Sequence, residues 1–172
     1  STGYVNMRNQ CNAPTSGFVV YNIDGMETLK EEQLTSEVFD QTRYSSTKLR
    51  NQKNVRAGQP LFKLITDETW ALYFPIDRKL LTELSDMKKI RFRFLKDNQT
   101  FTAPFSVIQN GEEAFGKISL DNSLVRYATD RFLEIELVMN KKSGLKIPSS
   151  AIVDRAFYRI PEEYVIKNAD TD

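Results

Sequence analysis

The stretch Lys89-Ile90-Arg91-Phe92-Arg93-Phe94, followed shortly by Thr100-Phe101-Thr102-Ala103-Pro104-Phe105-Ser106-Val107, decides the fold. Ile90, Phe92 and Phe94 alternate with Lys89, Arg91 and Arg93; Phe101, Ala103, Phe105 and Val107 alternate with Thr100, Thr102 and Ser106. Successive side chains on a strand point to opposite faces, so a period of two describes strands with one apolar face and one wet face. The same alternation returns in Ile118 and Leu120 against Lys117, Ser119 and Asp121, and in Leu133, Ile135 and Leu137 against Glu134 and Glu136. Joined by polar turns such as Asp97-Asn98 and Asn110-Gly111, these runs predict an antiparallel sheet or a small closed barrel.

Upstream, Asp77 offers an N-cap to a short helix whose Leu80, Leu81, Leu84 and Met87 share one face, as a lid on that sheet requires. Before it, Val55 to Ile65 reads as a glycine turn at Gly58 entering an apolar strand, then Asp67-Glu68-Thr69 and a strand from Trp70 to Pro75. Asn12 to Gly25 is β-rich and punctuated by Pro14, Gly17 and the Asp24-Gly25 pair, predicting strand, turn, strand. Thr28 to Asn54 is polar, with Leu29, Leu34, Val38 and Phe39 scattered through it, and predicts short helical turns in a solvated insertion. Downstream, Gly144 to Val153 is a strand entry broken by Pro148, followed by Phe157-Tyr158-Arg159-Ile160-Pro161. Prolines there suit edges or crossings between units.

The 172 residues suffice for one domain or two small ones, and 24 basic against 23 acidic residues leave a net charge of +1. No global field therefore favours nucleic acid, anionic lipid or acidic substrates. Histidine is absent, which removes the commonest general base and metal ligand. Cys11 is the sole cysteine, so it has no internal disulfide partner and reads as a plain thiol. No run approaches the roughly 20 apolar residues of a membrane span, and Ser1-Thr2-Gly3 opens neither a basic nor an apolar leader region. A start without Met, almost inside a patterned segment, predicts an excised piece with any anchor upstream.

The order of phrases carries a resemblance. Ala13-Pro14, Ser16-Gly17 with Val19, Gly25, and Val55 with Gly58-Gln59-Pro60-Leu61 resemble the second half of a lipoyl-like barrel-sandwich domain in HlyD-like membrane fusion proteins. The family then continues with a short helix within a β-barrel, similar to Asp77–Met87 and the alternating strands, and leaves through a strand similar to Ile147-Pro148-Ser149-Ser150-Ala151-Ile152-Val153. The first lipoyl half and an intervening helical hairpin are not visible. The resemblance implies the extracytoplasmic part, in periplasm or at the cell surface, of a membrane-anchored adaptor linking a transporter to other envelope proteins in export or efflux.

Sharper readings compete with plainer ones. A carrier domain needs a modifiable lysine at its turn, but Asp24-Gly25-Met26 has none and Lys30 lies beyond it. Lys88 to Lys96 interleaves cations and aromatics as a nucleic-acid-binding sheet does, yet alternation sends Phe92 and Phe94 to the face opposite Arg91 and Arg93. Glu31-Glu32, Asp67-Glu68, Glu112-Glu113 and Glu162-Glu163 suggest acid/base pairs or calcium ligands, but sequence neighbours diverge on strands and are solvated in loops. Trp70 with Tyr73 and Phe74 could form a binding platform; a seal between two β-units is the simpler role.

The expected architecture is therefore all-β: a lipoyl-like half domain over 1–69 with a polar insertion at 28–54, a small antiparallel barrel with one short helix over 70–148, and a C-terminal strand segment over 149–172. No catalytic, cofactor-binding or metal-binding residues, no cofactor and no nucleic acid are expected. The expected partners are a transporter subunit and envelope proteins, with a possible homo-oligomer. Pro14, Gly17, Gly25, Gly58, Trp70, Pro75 and Pro148 are the expected turn and junction residues, with bends at 70–75 and 146–149. A non-enzymatic adaptor is the leading reading, and a free-standing ligand- or envelope-binding β-domain is the alternative.

Overall fold

A computed structural model describes residues 13–51, 55–139, 145–146 and 151–161 of the chain. The fold is all-β, as the alternation requires. In order, the strands are β1 (Phe18–Val20), β2 (Asn22–Ile23), β3 (Thr47–Lys48) and β4 (Pro60–Ile76), followed by helix α1 (Arg78–Leu84). Then come β5 (Lys89–Phe94), β6 (Thr100–Asn110), β7 (Glu113–Leu120), helix α2 (Leu124–Tyr127), β8 (Phe132–Leu133), β9 (Ile135–Leu137), β10 (Leu145–Lys146) and β11 (Ala151–Pro161).

The main sheet runs β10-β9-β5-β6-β7-β4-β11-β8, and every pairing in it is antiparallel. Since β8 and β9 are separated by Glu134 alone, they are one strand paired at its start with β11 and at its end with β5. That shared strand closes the sheet into a barrel. Inside lie Leu72, Phe74, Ile90, Phe92, Phe94, Phe105, Ile118, Ile135 and Leu137, all within one packed cluster. Phe92 and Phe94 are fully buried while Lys89 and Arg91 are exposed, so the decisive alternation orients the strand as expected.

α1 is capped by Asp77, whose Oδ1 accepts from the backbone N–H of Leu80 at 2.7 Å. Leu84 is fully buried, and Leu80, Leu81 and Met87 pack on the barrel cluster beside it. The expected turns appear at Asn98 (φ 59°) and Gly111 (φ 63°). α2 was not anticipated, because a four-residue helix presents too little periodicity to read.

The expected border between units, 69/70, lies within β4. Along one edge β4 pairs with β11 through Lys63–Ile65 and again through Trp70–Tyr73, and four residues, Thr66–Thr69, face the single Ala156 between those ladders. Along its other edge β4 pairs with β1 before that bulge and with β7 after it. The bend expected at 70–75 does not fall there: Trp70–Pro75 are laddered to β7 as barrel wall, and the irregularity sits earlier, at 66–69. The other expected bend, with Pro148, lies outside the described residues.

The insertion is solvated over most of its residues but is anchored to the barrel by its apolar ones. Its short 3-10 turns, at Glu31–Gln33, Ser36–Phe39 and Gln41–Arg43, match the expected local structure. Leu34, however, is buried, and with Leu29 and Phe39 it packs on Ala71, Tyr73, Phe115 and Ile108, the outer face of β4, β6 and β7. Phe39 stacks on Phe115 at 5.5 Å, and the Asn110 amide donates to the carbonyls of Glu31 and Leu34 at 2.6 and 3.2 Å. The scattered apolar residues of this stretch are the anchors of a strap.

Candidate functional site

The most highly charged buried place among the described residues is the turn Asp24-Gly25-Met26-Glu27. Gly25 takes φ 79°, a conformation that favours glycine, and the turn is laced by its own carboxylates. Glu27 accepts from the backbone N–H groups of Asp24 and Gly25, each at 2.9 Å, and Asp24 accepts from that of Met26 at 3.1 Å. Two cations reach it from distant elements. Arg131, just ahead of β8, donates from Nε and Nη2 to the two oxygens of Asp24 at 2.7 and 2.9 Å. Lys63 on β4 stands 3.5 Å from Glu27, and the side chains of both pairs are at most 4% exposed.

Burial opposes ionisation of Asp24, but the bidentate Arg131 contact outweighs it and holds the carboxyl below its ordinary range. The same burial, with Asp24 facing it, pushes the Tyr44 hydroxyl upward; that hydroxyl donates to Asp24 at 3.4 Å. Acids and bases here are matched and closed against each other. Such an arrangement fixes the turn between β4 and the barrel's closing strand. A lysine within the apolar run Phe62-Lys63-Leu64-Ile65 was the sequence signal for this cluster; Arg131 gave none.

A second feature is the edge of β1. Among the described residues this strand pairs with β4 alone, and Phe18 and Val19 are 40% and 43% exposed. Tyr21, just beyond it, meets Phe62 edge-on at 6.3 Å and carries the Arg50 guanidinium 4.4 Å above its ring. Gly17 leads into this edge, and a side chain there would collide with the backbone carbonyl of Ile65.

The remaining expected residues are dispersed. Pro14 is exposed in a bend, and Gly58 supplies φ 84° at the turn into β4. Pro75 is half-buried opposite Phe115. Trp70 is neither a seal at a border nor a platform: it is 3% exposed in the barrel core, stacked on Phe94 at 6.1 Å and tilted on Tyr127 at 5.6 Å. Its Nε1 donates to the Asn122 carbonyl at 2.8 Å. Cys11, Pro148 and the Glu162-Glu163 pair lie outside the described residues. The other carboxylate pairs separate: Glu31 takes the Tyr73 hydroxyl at 2.8 Å and Lys117, Glu113 takes Ser36, and Asp67 caps the Thr69 N–H at 2.8 Å. Among the described residues no cluster of three acidic or thiol groups could hold a metal ion, and no helix is long and apolar enough to cross a membrane.

No family model, curated protein or solved structure matches the chain.

Proposed function

We propose that the chain is a non-catalytic adaptor: the extracytoplasmic part of a membrane-anchored fusion protein that links a transporter to partner components in export. The observation that carries this reading is the edge of β1, a strand that among the described residues uses one ladder and has apolar side chains exposed beside it. Exposed edges of this kind are either covered or used for pairing with another chain segment. A connector joined to further β-structure uses its edge in this way. The filled barrel supports the same reading, because aromatic and aliphatic side chains occupy the space in which a ligand-carrying barrel holds its cargo.

The test is co-purification of the tagged protein, after cross-linking in its own cells, with an export transporter from solubilised membranes. Phe18→Asp with Val19→Asp is expected to abolish that association while the barrel still folds. Failure of the unaltered protein to bring down a transporter, together with a small molecule retained in native mass spectrometry, would favour the ligand-binding alternative.

A further inference from the structure

The outer face of β5 carries three cations in different circumstances. Arg93 faces Glu136 across the β5–β9 ladder and pairs with it. Arg91 has Thr102 as its neighbour on β6, and its carbonyl accepts from Val138 at 2.8 Å on the other side; Lys89 faces Pro104. Among the described residues neither Lys89 nor Arg91 has a carboxylate opposite it across a ladder, and both are exposed. They line a groove of about 510 Å³ with Met87, Thr102, Val138 and Met139, and Glu83 closes one rim. Val138 is 38% exposed, so the groove combines an apolar floor with two exposed cations.

We infer that this groove takes an extended acidic segment of a partner protein, with carboxylates at alternate positions and an apolar side chain on the Met87–Val138–Met139 floor. The inference rests on the adaptor reading and names the chemistry of one partner. Residues two apart on a strand are separated by about 6.8 Å, so carboxylates two apart on an extended peptide repeat at the spacing of Lys89 and Arg91. Nucleic acid does not fit, since Phe92 and Phe94 are fully buried in the barrel and no aromatic ring lines the groove for stacking. An anionic membrane does not fit either: such surfaces are held by broader basic clusters, and Glu83 would face the lipid charge.

The experiment uses the whole chain and a fluorescent peptide of alternating glutamate and valine with one leucine, read by anisotropy. Saturable binding is expected, weakening as salt rises and falling about tenfold or more in Lys89→Glu with Arg91→Glu. Val138→Glu, which places a carboxylate beside Arg91, should weaken binding with an unchanged melting temperature. Equal affinity for a lysine–valine peptide, no saturation, or affinity unaffected by these substitutions would overturn the assignment. So would binding to phosphatidylserine vesicles in place of the peptide. Absence of peptide binding while the transporter still co-purifies removes the groove and leaves the adaptor reading standing.

Discussion

The tip of the Phe74 ring occupies the space that a side chain at Gly116 would fill. The two residues are direct cross-strand partners on β4 and β7, and a Cβ at 116 would lie 2.8 Å from both Cε atoms of the ring and nearer still to Cζ. Phe74 cannot swing aside, because it is fully buried and stacked on Phe105 at 6.2 Å. Gly116→Ala is therefore expected to cost about 1–3 kcal/mol through overpacking. Phe74→Leu, which removes the tip, should make the double variant less unstable than the sum of the single ones. Urea melts of the four proteins in that cycle measure the coupling.

Asp24 and Arg131 give a prediction with a pH signature. Asp24→Asn leaves the guanidinium buried without its charge partner, which is expected to cost about 3–5 kcal/mol near neutral pH. The folded-state carboxyl lies below its ordinary value of 3.8, so its contribution is fully present above that value and is lost as pH falls through the folded pKa. The stability gap between wild type and variant should narrow as pH drops below 3.8, as denaturant midpoints at graded pH would show. A gap independent of pH would mean that the pair is not ionic in the folded state.

The barrel wall was legible because period-two patterning survives wherever one face is buried: alternation alone assigns Phe92, Phe94, Phe105 and Ile118 to the apolar side, and all four line the core. Local chemistry was equally plain at Asp77 and at Asn98 and Gly111, where capping and positive φ depend on a few adjacent residues. Which strands close the expected barrel was not legible. The pairing of Ile152 with Tyr73, and the sharing of one strand by β8 and β9, depend on contacts between distant parts of the chain. The strap was legible only in part: Leu29, Leu34 and Phe39 stand out in the polar stretch, but the packing of Leu34 on Tyr73 and Phe115 depends on residues far away in the chain. Trp70 was recognised as a burying residue but assigned to the wrong surroundings, since bulk says nothing of whether a ring seals a border or fills a core.

Trp70→Ala should therefore behave as a core deletion. With the ring 3% exposed and packed on Phe94 and Tyr127, the expected loss is about 3–5 kcal/mol, or a melting temperature lower by roughly 6–20 °C. Trp70→Phe keeps ring packing but leaves the Asn122 carbonyl without its donor, and should cost about 1–3 kcal/mol. A scattering envelope that opens in either variant without loss of melting temperature would return Trp70 to a role between units.

The strap supplies the last prediction. Leu34 is 2% exposed beneath residues that are otherwise polar, and the segment around it is held by few apolar anchors together with the bonds from Asn110, Tyr73, Lys117 and Ser36. Segments with few buried contacts open locally at a free energy below that of the whole domain. Leu34→Ala removes the central anchor, a change worth about 2–5 kcal/mol at a fully packed site. Here that loss is expected to fall on the strap rather than on the barrel, because Phe74, Phe92 and Ile118 belong to a separate cluster inside it. The expected result is faster proteolysis between residues 29 and 44 with a nearly unchanged melting transition of the barrel. Hydrogen exchange should show the Leu34 amide, which donates to the Glu31 carbonyl at 3.2 Å, losing protection while the β5–β6 amides keep theirs. Equal loss at both places would mean that the strap and the barrel unfold as one cooperative unit, with the outer face of β4 and β7 as much a part of the core as the inside.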